Sequence, residues 1–168
     1  VIFSATFITG DVALGVTGIA LDTQGSIYLT GSTNTSLFPT TPGAFQTSFG
    51  LTGNNFTNAF AMKLSAQGNQ LLYSTYLKGD QVVGTTTKFN RASAIAVDKD
   101  GNAYITGATN TQDFPTTPGV VQPTNKGSGN AFITKLNANG SALVYSTYLG
   151  SGTTDSASDI AIDAVGNA

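Results

Sequence analysis

The chain has 168 residues, of which 40% are hydrophobic, enough to build a core and too many for a disordered tail. Its formal charge is −2 with only seven Lys and Arg, which excludes the basic face that nucleic-acid binders use to displace counterions. Glu, His, Cys and Trp are absent, so there is no disulfide framework, and three of the usual catalytic side chains are missing.

No apolar run approaches the roughly 20 residues of a membrane-spanning helix. Val1–Thr9 is apolar but lacks a preceding basic residue and a following small-residue cleavage site, so it does not read as a signal peptide. Charged helix formers are scarce, whereas Thr, Ser, Asn, Gly and β-branched residues abound. That balance predicts strands joined by turns.

In chain order, FSATF (3–7) is a degenerate form of the later YSTYL, and residues 1–9 read as the last strand of a preceding unit. GIALD and SIYLTG flank the turn DTQG (22–25) as a first hairpin. The hexapeptide FPTTPG comes next at 38–43, and AFAMKL and LLYSTYL then flank SAQG (65–68) as a second hairpin. The whole series recurs. IAVDKDGNAYITGATNTQDFPTTPGVVQ (95–122) aligns with 19–46 without a gap, and AFITKLNANGSALVYSTYL (131–149) aligns with 59–77. IAIDAVGNA (160–168) begins the series a third time. Self-similarity over such a period means an array of one supersecondary unit.

Each unit predicts four short strands. Gly25, Gly68, Gly101 and Gly140 occupy matching turn positions, where a positive φ is expected. The first strand is rich in small residues, as the crowded inner strand of a radial array would be. YSTYL carries bulk on both faces and must be covered on both. The predicted fold class is therefore all-β, with β-propeller blades of four antiparallel strands. A β-sandwich has no reason to repeat hairpin by hairpin. The array is incomplete, with two full repeats at 16–77 and 92–149, the strand at 1–9, and the start of a third repeat at 157–168. Two blades and a fraction do not close a ring of four to eight. The expectation is a piece of a longer propeller, the alternative being completion by neighbouring copies head to tail.

The segments DGNAY, FPTTPG and YSTYLG, in that order, resemble the bacterial β-propeller repeat family known as SBBP repeats. The resemblance covers nearly the whole chain. It implies a propeller fold in an exported or cell-surface bacterial protein and no shared catalytic chemistry.

Several residues are candidates for more than folding. Phe38, Thr40 and Thr41, with Phe114, Thr116 and Thr117, lie in the two hexapeptides. They could present rings and hydroxyls to a glycan from one rim. The structural expectation is that Phe38 and Phe114 cap a hairpin, while Thr41–Pro42 and Thr117–Pro118 start a single helical turn. DKDGN (98–102) resembles the start of a calcium loop and makes Asp98 and Asp100 weak calcium candidates. The matching turns DTQGS and DAVGN lose the second carboxylate, and no Glu is present beyond them, so no metal or other cofactor is expected. Asp22, Asp98, Asp100, Asp159 and Asp163 are expected to bond their own turns. Lys63 and Lys135 recur as strand-end groups or partners for a neighbouring Asp. Asn34, Asn55 and Asn139 begin N-x-Ser/Thr triplets, which this composition produces readily by chance.

The sequence thus points to a non-enzymatic scaffold, exported or at the cell surface. Its expected partners are other blades of the same chain or neighbouring copies. A carbohydrate-binding module or adhesin with glycan partners is the alternative.

Overall fold

The structure, a computed structural model, describes residues 15–50, 56–82 and 87–168. The strand expected at 1–9 and Asn55 lie outside them. The described residues are all-β. They form β1 (Gly15–Leu21), β2 (Ile27–Thr33), β3 (Phe56–Leu64), β4 (Leu71–Leu77), β5 (Lys88–Val97), β6 (Ala103–Thr109), β7 (Asn130–Leu136) and β8 (Leu143–Leu149).

Strands β1 to β4 pair antiparallel in chain order, and β5 to β8 repeat the arrangement. Equivalent residues hold equivalent registers: Tyr28 lies opposite Lys63 in the first unit, and Tyr104 opposite Lys135 in the second. Even the irregularities recur. A bulge separates Val16 from Gly18 and another separates Ala92 from Ala94. Opposite each bulge a glycine is required, because a Cβ on Gly31 would strike the Gly15 carbonyl and one on Gly107 the Arg91 carbonyl.

The two units meet in a short parallel pairing, Phe56 with Lys88 and Thr57 with Phe89. The bridge between Gly129 and Thr154 repeats that junction toward the third unit. There, Asp163 and Gly166 already form the hydrogen-bonded turn that opens a repeat, with Gly166 at φ +89.

The main core lies between the units. Tyr28, Ala59, Ala61, Tyr73 and Leu77 of the first pack against Ile95, Ile105, Phe114, Phe132 and Tyr148 of the second. A second cluster, Phe38, Phe49, Phe60 and Tyr76, sits on the opposite face of the first unit. YSTYL is therefore covered on both faces, by different neighbours: Tyr73 by the next unit and Tyr76 by its own loop.

Candidate functional site

The repeated polar groups converge where one unit meets the next, at the end of the sheet that carries the hairpin turns. Asp22 Oδ1 accepts the backbone N–H groups of Gln24 and Ser26, closing its own turn as expected. Asp98 Oδ1 does the same for Asp100 and Asn102, and Asp163 Oδ1 for Val165 and Asn167. The other carboxylate oxygen is used across the sheet. Because Tyr28 and Lys63 are cross-strand partners, both reach Asp22 Oδ2, at 3.2 Å each. In the second unit Lys135 lies 3.0 Å and Tyr104 3.2 Å from Asp98 Oδ2.

Each tyrosine also lies within donating distance of the following unit. The Tyr28 hydroxyl is 3.2 Å from the Gly101 carbonyl, and the Tyr104 hydroxyl 2.9 Å from that of Gly166. Asp, Lys and Tyr thus form a clasp that holds a unit's own turn and grips the turn of the next. Lys63 and Lys135 stack over the rings of Tyr28 and Tyr104 besides.

The clasp has fixed charges near neutral pH. Burial raises the pKa of Asp22, but the Ser26 N–H and the Lys63 ammonium outweigh it and hold the carboxyl at about 2. For Asp98, burial is likewise overcome by the Asn102 amide and Lys135, again to about 2. Burial pushes the Tyr28 phenol up, so it remains a proton donor. The lysines are raised by their Tyr and Asp partners against the opposing effect of burial.

The second hairpin turn makes a companion contact. Gly140, at φ +68, lies under the Tyr73 ring, and its carbonyl accepts the Phe45 N–H at 2.9 Å. At the opposite end of the sheet the seam is polar and buried. Asn90 Nδ2 donates to Asn58 Oδ1 and to the Gly79 carbonyl, while Asn90 Oδ1 accepts from Thr109 and Thr111. Beside it, Asp80 neutralises Lys78 and the fully buried Lys88, the latter at 2.8 Å.

Phe38 and Phe114 are each 3% exposed. Phe38 packs on Phe60 and Tyr76 with ring centroids 4.6 and 5.4 Å away; Phe114 packs on Phe132 and Tyr148 at 4.5 and 6.1 Å. Their faces are buried against the protein, which corrects the picture of rings offered to a sugar. Thr41 and Thr117 hydroxyls accept the N–H groups of Ser74 and Ser146. Thr40 and Thr116 donate to Thr47 and Pro123.

The expected helical turn is replaced by a β-turn. Ala44 N–H donates to the Thr41 carbonyl, and Gly43 takes φ +79, so Thr41–Pro42–Gly43–Ala44 is a type II turn with Pro and Gly at its two central positions. Gly119 repeats that angle after Pro118. The turn carries Gln46 and Gln122 to the edges of β4 and β8, where their carbonyls accept the Tyr76 and Tyr148 N–H groups. FPTTPG therefore plugs a hydrophobic face with its Phe and leads the chain on to shield a strand edge with Gln46 or Gln122.

The calcium candidates are placed apart in function. Asp98 is engaged by Lys135, Asn102 and two backbone amides, whereas Asp100 is exposed and pairs with Lys99. Among the described residues no three acidic, His or Cys side chains gather to hold a metal. Sequence reasoning offered the Asp–Lys pairing as one of two readings of the lysines and missed the tyrosine. Its signal was Tyr28 and Tyr104 recurring opposite the repeated lysines. The Asn58–Asn90 seam was missed too.

Antiparallel four-stranded units stacked face to face, each gripping the first turn of the next, define a class of protein, the β-propeller blade array. The family model described as SBBP, beta-propeller repeat, matches residues 15–39 and 91–115. Each match runs from the first strand of a unit through the clasp turn and tyrosine to the Phe–Pro of the hexapeptide. No curated protein matches the chain.

Proposed function

We propose that the chain is a non-enzymatic scaffold of an exported or cell-surface bacterial protein, whose blade faces recruit further blades of the same repeat. The observation that supports this is an apolar face with a known complement. Val16, Ile19 and Leu21 of β1 are exposed, Ile19 to 66%, whereas Ile95 at the equivalent place on β5 is 7% exposed because the first unit covers it. A face that one repeat covers in its neighbour is the face another repeat would cover here. The buried Asp and Lys groups are paired within their own units, and the Tyr hydroxyls beside them reach the turn of the next. The composition, poor in charge and rich in Thr, Ser, Asn and Gly, suits an exported surface.

Sedimentation velocity over a range of concentrations tests this. The expected result is association that grows with concentration and is abolished by Ile19→Asp. A chain that stays monomeric while the β1 face remains open to an apolar dye would sink the scaffold reading.

A further inference from the structure

We infer that Asn139 is a site of spontaneous deamidation, and that this modification loosens the contact between the two units. Asn139–Gly140 is the sole Asn-Gly pair in the sequence. Asn139 is exposed at the tip of the β7–β8 turn, and Gly140, buried beside the Tyr73 ring, adds no side chain of its own to hinder attack by its backbone nitrogen once the turn opens. The Ser141 hydroxyl donates to Asn139 Oδ1 at 2.7 Å. That donor draws electron density from Cγ and sits where negative charge would develop on the amide oxygen under attack.

The step balances with water alone. The Gly140 backbone nitrogen attacks Asn139 Cγ, forming an N–C bond and losing its proton to solvent. The Cγ–Nδ2 bond breaks and the nitrogen leaves as ammonia. Water then opens the five-membered imide at either carbonyl, leaving aspartate or a β-linked isoaspartate. Nothing is oxidised or reduced. Attack requires the Gly140 N–H to leave its hydrogen bond to the Asn137 carbonyl, so the rate reports local opening of the turn.

The first unit supplies an internal control. The matching turn carries Gln67 before Gly68, which holds the same φ of +68 as Gly140. The extra methylene of Gln67 demands a six-membered ring, which closes far more slowly. At Asn139 the consequence stems from its position. The Gly140 carbonyl accepts the Phe45 N–H of the first unit, and Tyr73 packs on the glycine itself. An isoaspartate adds a methylene to the main chain directly before that glycine and a negative charge beside it.

The test incubates the folded chain in warm, mildly alkaline buffer and tracks the tryptic peptide that begins at Leu136. A gain of one mass unit there is expected, with isoaspartate detected by enzymatic methylation of the same peptide. Asn139→Gln should remove both signals, and Ser141→Ala should slow the gain severalfold. An unchanged peptide in the folded chain, when the urea-unfolded chain reacts, would overturn the site. So would a gain that survives Asn139→Gln, or methylation confined to the peptide from Asp100 to Lys126. Aged chains separated by their extra negative charge should exchange the Phe45 amide several times faster than fresh ones. Equal exchange in the two fractions would overturn the effect on the interface.

Discussion

Ile19 and Ile95 occupy the same place in two copies of one strand pattern, IALD and IAVD, yet the first is 66% exposed and the second 7%. Their own units are built alike, strand for strand and bulge for bulge. The difference lies in the neighbour. Ile95 is packed against by the first unit, while the Ile19 side of β1 meets no described repeat. In an array of this kind a residue's burial belongs to the junction, and stability should track nearest-neighbour contacts more closely than sequence identity.

The widest gap is expected between those two isoleucines. Ile95→Ala should cost about 2–5 kcal/mol, as large-to-small changes in packed cores do. Ile19→Ala should stay within about 0.5 kcal/mol in the monomeric chain. Denaturant melts of both variants decide it, and equal losses would mean that β1 already has the cover β5 enjoys. Close behind comes the turn glycine at the junction. Gly140→Ala meets both a left-handed backbone and the Tyr73 ring, whereas Gly119→Ala meets the backbone cost alone, with open space around it. The second should cost about 1–2 kcal/mol, and thermal melts should show the first losing clearly more.

The clasps predict an acid limb. Asp22 and Asp98 have folded pKa values of about 2 against an ordinary value of 3.8. A depressed carboxyl stabilises the fold above its unfolded pKa. That contribution is whole above about pH 4, declines as pH falls, and is gone below about pH 2. Tm measured against pH should fall through that window. Asp22→Asn and Asp98→Asn should each flatten the fall, and an unchanged limb in both would mean that the carboxylates are not held as described.

The array and its chemistry were unequally legible in the sequence. Gly25, Gly68, Gly101 and Gly140 were placed correctly at positive φ, since only the turn chemistry was needed to find them. Lys63 and Lys135 read either as strand-end groups or as partners of an Asp, and the structure shows the second. The hexapeptide was half legible. Thr–Pro suggested a helix start, but the glycine directly after the proline sets a type II turn, and that local signal was outweighed by the capping pattern. Nor could composition show that Phe38 faces Phe60 and Tyr76. Those partners are brought to it by strand register more than twenty residues away. Likewise Asn58 and Asn90 meet only because parallel pairing joins two units, a contact that no local spacing encodes.

Two tyrosines of the same unit sharpen the comparison further. Tyr28 reaches the Gly101 carbonyl across the junction, whereas the Tyr73 hydroxyl is buried without a hydrogen-bond partner. Both lose only an oxygen on substitution by Phe. Tyr28→Phe should destabilise by about 1 kcal/mol, the usual net value of a buried hydrogen bond. Tyr73→Phe should be neutral or stabilising by up to about 1 kcal/mol, since it removes a desolvated group that gains nothing in return. Opposite signs in paired urea melts would locate the grip between units at one hydroxyl. If the two variants lost stability equally, the ring packing alone would hold the junction and the clasp would be incidental to it.

The smallest effect belongs to the far side of the second unit. Val121 stands where Phe45 stands in the first, yet Val121 is 87% exposed while Phe45 packs against the shared core. Val121→Ser should change stability by no more than about 0.5 kcal/mol. Phe45→Ser should cost more than that, because it uncovers the ground beside Tyr73 and Gly140 and removes apolar area from the junction. The pair separates two accounts of the second hairpin turn. If the Phe45 N–H to Gly140 carbonyl bond alone fixes that turn, the serine keeps it and the loss is small. If the ring is what seats the turn, the loss appears in full, and the exposed valine marks the matching seat on the next face of the array.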